Sequence, residues 1–122
     1  MRFLFDTSIL IDHLRGQDTH IIGHYKKQGD IFISVVTDFE IWRGARPPEE
    51  EETTILLNII PSLDITKSIA KAAAGIYQQQ AKTFGLELPD CLILATADQH
   101  HLRLITKDRN LDKAAIKLLP AS

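Results

Sequence analysis

Apolar residues are distributed along the chain in two ways, as short unbroken runs and as longer stretches recurring at helical spacing, and the two kinds alternate. Arg2 to Phe5 is a short apolar and aromatic run that stops at Asp6-Thr7-Ser8, residues that favour helix N-caps. This predicts a buried strand followed by a helix that carries Ile9, Leu10, Ile11 and Leu14 and ends near Gly16. A second helix is expected from about Thr19 to Gln28, stopping before Gly29. Ile31 to Val36 is rich in β-branched and aromatic residues and reads as another buried strand. From Thr37 the spacing turns helical again, with Phe39, Ile41 and Trp42 ahead of Gly44, and Pro47-Pro48 close that helix.

The acidic run Glu49 to Glu52 opens a helix bearing Ile55, Leu56, Ile59 and Ile60, where acids in the first turn interact favourably with the helix dipole, so no chemistry is assigned to it. Ser62 to Ile65 is a weak, short strand candidate. Thr66 to Phe84 gives the clearest helix, and Gly85 breaks it. Pro89-Asp90 open another helix, apolar nearly all round and therefore buried. Leu102 to Thr106 reads as a strand, Lys107 to Ala115 as a polar turn and short helix, and Ile116 to Leu119 as a last strand. Strands alternating with helices predict an α/β fold with three layers, a central, mostly parallel sheet flanked by helices. In such sheets the ligand crevice lies at the carboxyl ends of the strands, near a switch in strand order.

Composition narrows the class. A length of 122 residues predicts one domain spanning residues 1–122, and 44% hydrophobic with 25% charged residues argues against a disordered chain or a collagen-like repeat. The single cysteine, Cys91, forms no internal disulfide and no cysteine-based zinc site. No stretch approaches the roughly 20 apolar residues that span a bilayer, and the start of the chain lacks the apolar length of a signal peptide, so a cytoplasmic protein is expected. The net charge of −2 denies the basic footprint of a general nucleic-acid binder.

Four acids stand where the predicted topology would gather them. Asp6 ends the first strand, Glu40 lies one turn into the helix after the second, Asp90 begins the buried helix and Asp108 follows the Leu102 to Thr106 strand. Each has an ordinary explanation as a helix cap or a surface residue. Together, amid apolar neighbours, they would repel one another unless a cation joined them. Hard oxygen donors without Cys or convergent His point to Mg²⁺ or Mn²⁺, and hence to metal-dependent phosphoryl transfer.

Asp6-Thr7-Ser8, the run Glu40 to Ala45, the run Pro89 to Ala97, and Leu104 to Asp108 resemble the ordered motifs of PIN-domain proteins, most closely the VapC-type toxins of toxin–antitoxin pairs. The resemblance covers nearly the whole chain. It implies a Mg²⁺- or Mn²⁺-dependent endoribonuclease acting on RNA, a homodimer, and a cognate antitoxin that inhibits the active site. Position by position, it makes Asp6, Glu40, Asp90 and Asp108 the catalytic acids, with Asp6, Asp90 and Asp108 as metal ligands. Ser8 and Thr106 match the hydroxyl residues beside the first and last acid. Asp112 is a second acid near the last motif, where Asn110-Leu111 replace a common aromatic residue.

Setting the four acids aside leaves twelve acids against fourteen bases, which readmits an RNA partner. Arg43, Arg46, Lys107 and Arg109 are candidates for phosphate contact. His13 and His100-His101 read as surface or helix-end residues, Trp42 as a core or dimer-interface side chain, and Cys91, without a His partner, as a small buried one. The alternative is a noncatalytic PIN-like module that binds RNA or protein, which would have lost one or more acids. A phosphatase with a nucleophilic Asp would carry a second Asp two residues on, where this chain has Ser8.

Overall fold

The structure is a computed structural model and describes residues 1–119. Its sheet has four strands, β1 (Arg2–Phe5), β2 (Asp30–Ser34), β3 (Ser62–Leu63) and β4 (Arg103–Ile105), in the order β3-β2-β1-β4 with every pairing parallel. Seven α-helices among the described residues surround it: α1 (Thr7–Leu14), α2 (Ile21–Lys26), α3 (Val35–Gly44), α4 (Glu50–Ile59), α5 (Lys67–Phe84), α6 (Leu88–Gln99) and α7 (Arg109–Leu118). A 3₁₀ turn over Pro47–Glu49 leads into α4.

Alternation along β1 builds two cores. Phe3 and Phe5 point to one face and pack with Ile31, Ile33, Ile9, Leu10, Ile41 and Leu56, which joins the sheet to α1 to α4. Leu4 points to the other, where Leu104, Ile69, Ile93, Leu94 and Leu111 join it to α5, α6 and α7. The period of two in a strand thus sorts the helices into layers. Truncating a sealed residue such as Phe5 to Ala would cost about 3–5 kcal/mol.

Geometry calls for glycine at Gly85 and at Gly29. Gly85 closes α5 with φ 65°, in the left-handed region. A Cβ on Gly29 would lie 1.8 Å from the carbonyl oxygen of Met1, the atom that accepts from Asp30 N at 2.9 Å to start β2 beside β1.

Three expectations are corrected. Ile116 to Leu119 is no strand: Leu111, Ala114, Ala115 and Leu118 repeat at helical spacing, so α7 runs through to Leu118 and Ile116 lies exposed. Val35 and Val36 belong to α3, because the Ser34 hydroxyl accepts from Val36 N at 3.1 Å and caps the helix there. Of the two readings for Trp42, core or dimer interface, the core one falls, since the side chain is 43% exposed.

The connection β1–α1–α2–β2 steps to one side of β1, whereas β4 returns to the other. Strand order therefore switches at β1, and the crevice expected at a switch lies at the carboxyl ends of β1 and β4, where Asp6 and Thr106 follow.

Candidate active site

Asp6 is 6% exposed and holds the N-cap position of α1, yet its side chain makes no cap bond. Its Oδ2 instead accepts from Ser8 Oγ at 2.9 Å and from Thr106 Oγ1 at 2.7 Å. Each hydroxyl gives its one proton to Asp6 and accepts with its lone pairs from the loop after β4: Ser8 Oγ from Lys107 N at 3.2 Å, and Thr106 Oγ1 from Asp108 N at 3.0 Å. With Asp6 N donating to Ile105 O at 2.9 Å, the ends of β1 and β4 are stitched together around one carboxylate. The capping explanation fails for Asp6.

It holds in part for the next two acids. Asp108 Oδ1 accepts from Asn110 N at 2.9 Å and Leu111 N at 3.2 Å, so it caps α7. Asp90 Oδ2 accepts from Glu87 N at 2.9 Å, half of a capping box at the start of α6. Burial pushes the Asp90 carboxyl above the ordinary aspartate value, against the pull of the Glu87 amide, and the charges of Asp6 and Asp108 push the same way. Acids from three distant parts of the chain thus feel one another's charge. The charge of Asp108 is among those that reach Asp90.

Glu40 stands to the side. Its Oε1 accepts from Thr7 Oγ1 at 2.7 Å, and Thr7 Oγ1 lies 3.1 Å from Thr37 Oγ1. The residue faces a cavity of about 40 Å³ also lined by Ile11, Leu14, Ile41 and Thr53. It reaches the other acids through the chain neighbour of Asp6, not directly. Thr7 and Thr37 were missed by sequence reasoning; the available signal was the place of Thr7 directly after Asp6 and the i,i+3 spacing of Thr37 and Glu40.

One pattern unites the four. In each, one carboxylate oxygen is engaged by a donor, leaving Asp6 Oδ1, Glu40 Oε2, Asp90 Oδ1 and Asp108 Oδ2 without a hydrogen-bond partner among the described residues. The buried polar side-chain atom that lacks a partner among those residues is His13 Nδ1, so the free oxygens are open to solvent. No Lys, Arg or His forms an ion pair with the four acids among the described residues. Lys107 Nζ is taken by Asp12 at 2.8 Å and Asp18 at 3.0 Å, Arg46 by Glu49, and the exposed Arg43 lies 5.7 Å over the Phe39 ring. The expected roles of Arg43 and Lys107 toward phosphate thus find no contact with the acids.

Oxygen-only donors without a basic counter-charge fit a hard divalent cation. Among the described residues no three or more Asp, Glu, His or Cys side chains lie grouped closely enough to hold a metal ion as they stand. Cys91 is buried, and desolvation, then the Asp90 charge, push its thiol up, which suits packing rather than nucleophilic attack.

A parallel sheet between two helical layers, with acids collected at the strand-order switch, defines an α/β domain, and a family model for the PIN domain matches residues 3–117. The chain belongs to the PIN-domain family. It is 34% identical to Ribonuclease VapC10 of Mycobacterium tuberculosis over 108 residues, 84% of this chain and 80% of that protein. Ribonuclease VapC51 of the same organism is 25% identical over 118 residues, 94% and 86% of the two chains. A chain of a toxin–antitoxin complex from Klebsiella pneumoniae matches with TM-score 0.71 and 34% identity, covering 87% of this chain and 88% of that one. VapBC2 from Rickettsia felis, bound to a DNA fragment from their promoter, matches with TM-score 0.81 over 98% and 96% at 16% identity, a likeness of fold alone. No helix among the described residues is long and apolar enough to cross a membrane.

Proposed function

We propose that this chain is a metal-dependent endoribonuclease, the toxin of a toxin–antitoxin pair, acting as one PIN-like domain over residues 1–122. The observation that carries the reading is the shared arrangement of the four acids: each is oriented through one oxygen and presents the other, with no basic residue neutralising them among the described residues. The relatives named as ribonucleases support the substrate class.

Asp6, Asp90 and Asp108 would hold Mg²⁺ or Mn²⁺, which when bound lowers the pKa of a coordinated water and offsets negative charge on a phosphate. Ser8 and Thr106 hold Asp6 in orientation. Glu40, held by Thr7 next to Asp6 in the chain, would be the acid that takes up a proton. A cation bound there would offset the burial and the neighbouring charges that raise the affinity of Asp90 for its proton. A noncatalytic module would have no need of four oriented acids.

The solved toxin–antitoxin complex supports a cognate antitoxin as partner. A homodimer is part of the proposal, and the exposed Tyr77 and Leu88 beside an apolar groove of about 580 Å³ between α5 and α6 support a covered face. A reducing cytoplasm suits the free, buried Cys91.

The test is incubation of the purified protein with structured RNAs in Mg²⁺, in Mn²⁺ and in chelator, beside Asp6→Asn and Asp90→Asn. Cleavage should require the ion and fall about 10²–10³-fold in either variant, the scale on which a group acting on transition-state charge is missed. Cleavage that persists in chelator or in both variants would overturn the proposal.

A further inference from the structure

Resting on the reading of Glu40 as a catalytic acid, we infer that Thr37 and Thr7 form a one-directional hydrogen-bond chain that sets the Glu40 carboxylate, which makes both threonines positioning residues.

The direction follows from counting protons. An ionised carboxylate only accepts, so the 2.7 Å contact between Thr7 Oγ1 and Glu40 Oε1 uses the single proton of Thr7. That length is typical of a hydroxyl bonded to a charged oxygen. Thr7 Oγ1 is then left with lone pairs alone, and the 3.1 Å contact to Thr37 Oγ1 must be donated by Thr37. Thr37 is fully buried, and Thr7 is its side-chain partner among the described residues. The chain therefore runs from Thr37 through Thr7 to Glu40, in a site where weak competition from water strengthens each bond.

Placement gives the chain its consequence. Thr37 and Glu40 share a face of α3, three residues apart, while Thr7 is the first residue of α1 and follows Asp6 directly. The two hydroxyls tie α3 to the residue adjoining the most buried acid, so a buried and a part-buried bond hold Glu40 relative to Asp6. Glu40 Oε1 is held and Oε2 is the oxygen left to meet a reactant.

The decisive comparison is Thr7→Val, which keeps the shape and removes the proton, against Thr7→Ser, which restores it, and Thr37→Val, which removes only the far donor. In Mn²⁺ with a structured RNA, Thr7→Val should lower kcat about 10–100-fold with little change in KM, as loss of a group supporting a functional side chain does. Thr7→Ser should stay near wild type, and Thr37→Val should lose less than about fivefold, since Thr7 still donates. Combined with Glu40→Gln, Thr7→Val should add nothing, because it acts through Glu40; a merely structural role would multiply the two losses. In the metal-free protein, the Glu40 ¹³Cδ resonance and side-chain order should change in Thr7→Val and return in Thr7→Ser. A Thr7→Val enzyme as active as wild type, losses that multiply with Glu40→Gln, or an unchanged Glu40 resonance would overturn the inference. Wild-type protein that fails to cut RNA would instead sink the proposed function, and the resonance would still decide the chain.

Discussion

Asp6 and Asp90 occupy the same end of the sheet and feel each other's charge, but they are accommodated in different ways. Asp6 is nearly sealed, and two hydroxyls from different elements donate to one of its oxygens. Asp90 is less deeply placed and receives one backbone amide, and its carboxyl is pushed up. What differs is the supply of donors: hydroxyls brought by β4 and α1 replace water at Asp6, whereas the first turn of α6 offers Asp90 a single N–H. One acid is built into the fold, and the other is held at a cost that a counter-charge would relieve.

Of the two arrangements, breaking the first should have the larger effect on stability. Thr106→Val removes the hydroxyl that donates to Asp6 and accepts from Asp108 N, leaving the buried Asp6 carboxylate short of one donor and the exposed Asp108 N without its side-chain acceptor. Unfolding in urea should show a loss of about 1–3 kcal/mol, and metal-dependent cleavage should fall about 10–100-fold. An unchanged midpoint would mean that the hydroxyl is not what accommodates Asp6.

The second arrangement predicts the opposite sign. Asp90→Asn keeps an acceptor for Glu87 N and removes a charge the fold disfavours, so metal-free protein at neutral pH should gain about 0.5–2 kcal/mol while losing activity, as substitution at strained functional sites commonly does. The pH dependence fixes the cause. Because the folded-state value of Asp90 lies above the ordinary 3.8, the native state binds the proton more tightly, and the wild type recovers stability as pH falls through the raised value toward 3.8. The advantage of Asp90→Asn should therefore be full at pH 7 and vanish below that window. An advantage constant with pH would assign it to packing.

The same contrast explains how much the sequence disclosed. Strand, helix and layer were legible because they rest on period: Phe3, Leu4 and Phe5 alternate between two cores, and Ile69 and Ala73 recur on one helix face. The positions of Asp6, Glu40, Asp90 and Asp108 were legible as a resemblance of ordered motifs. The failure at Ile116 to Leu119 arose where a β-branched residue in a short apolar run outweighed the helical spacing of Leu111, Ala114, Ala115 and Leu118. Partners were not legible. Thr7, between two residues that drew attention, bonds to Glu40 across a separation of 33 residues, and Thr106 to Asp6 across 100, and no local pattern encodes such pairs.

Lys107 provides the smallest and last test, because it joins the braced side of the site to the solvent. Its backbone N–H supports Ser8, while its ammonium bridges Asp12 on α1 and Asp18 in the loop beyond, bonds that raise the Lys107 value and help lower that of Asp18. Sequence proximity to Asp108 suggested a phosphate contact, but the side chain is already spoken for. If the hydroxyls alone brace Asp6, Lys107→Gln, which retains the backbone donor, should shift the melting temperature by less than about 3 °C, the modest scale of exposed ion pairs. The shift should disappear in high salt, where such pairs are screened. Cleavage should change little in kcat. A large rise in KM with a shallower salt dependence would instead assign Lys107 to the RNA backbone, and the doubly substituted Asp12→Asn, Asp18→Asn protein separates the two accounts: freeing the ammonium should tighten RNA binding in the second and leave it unchanged in the first.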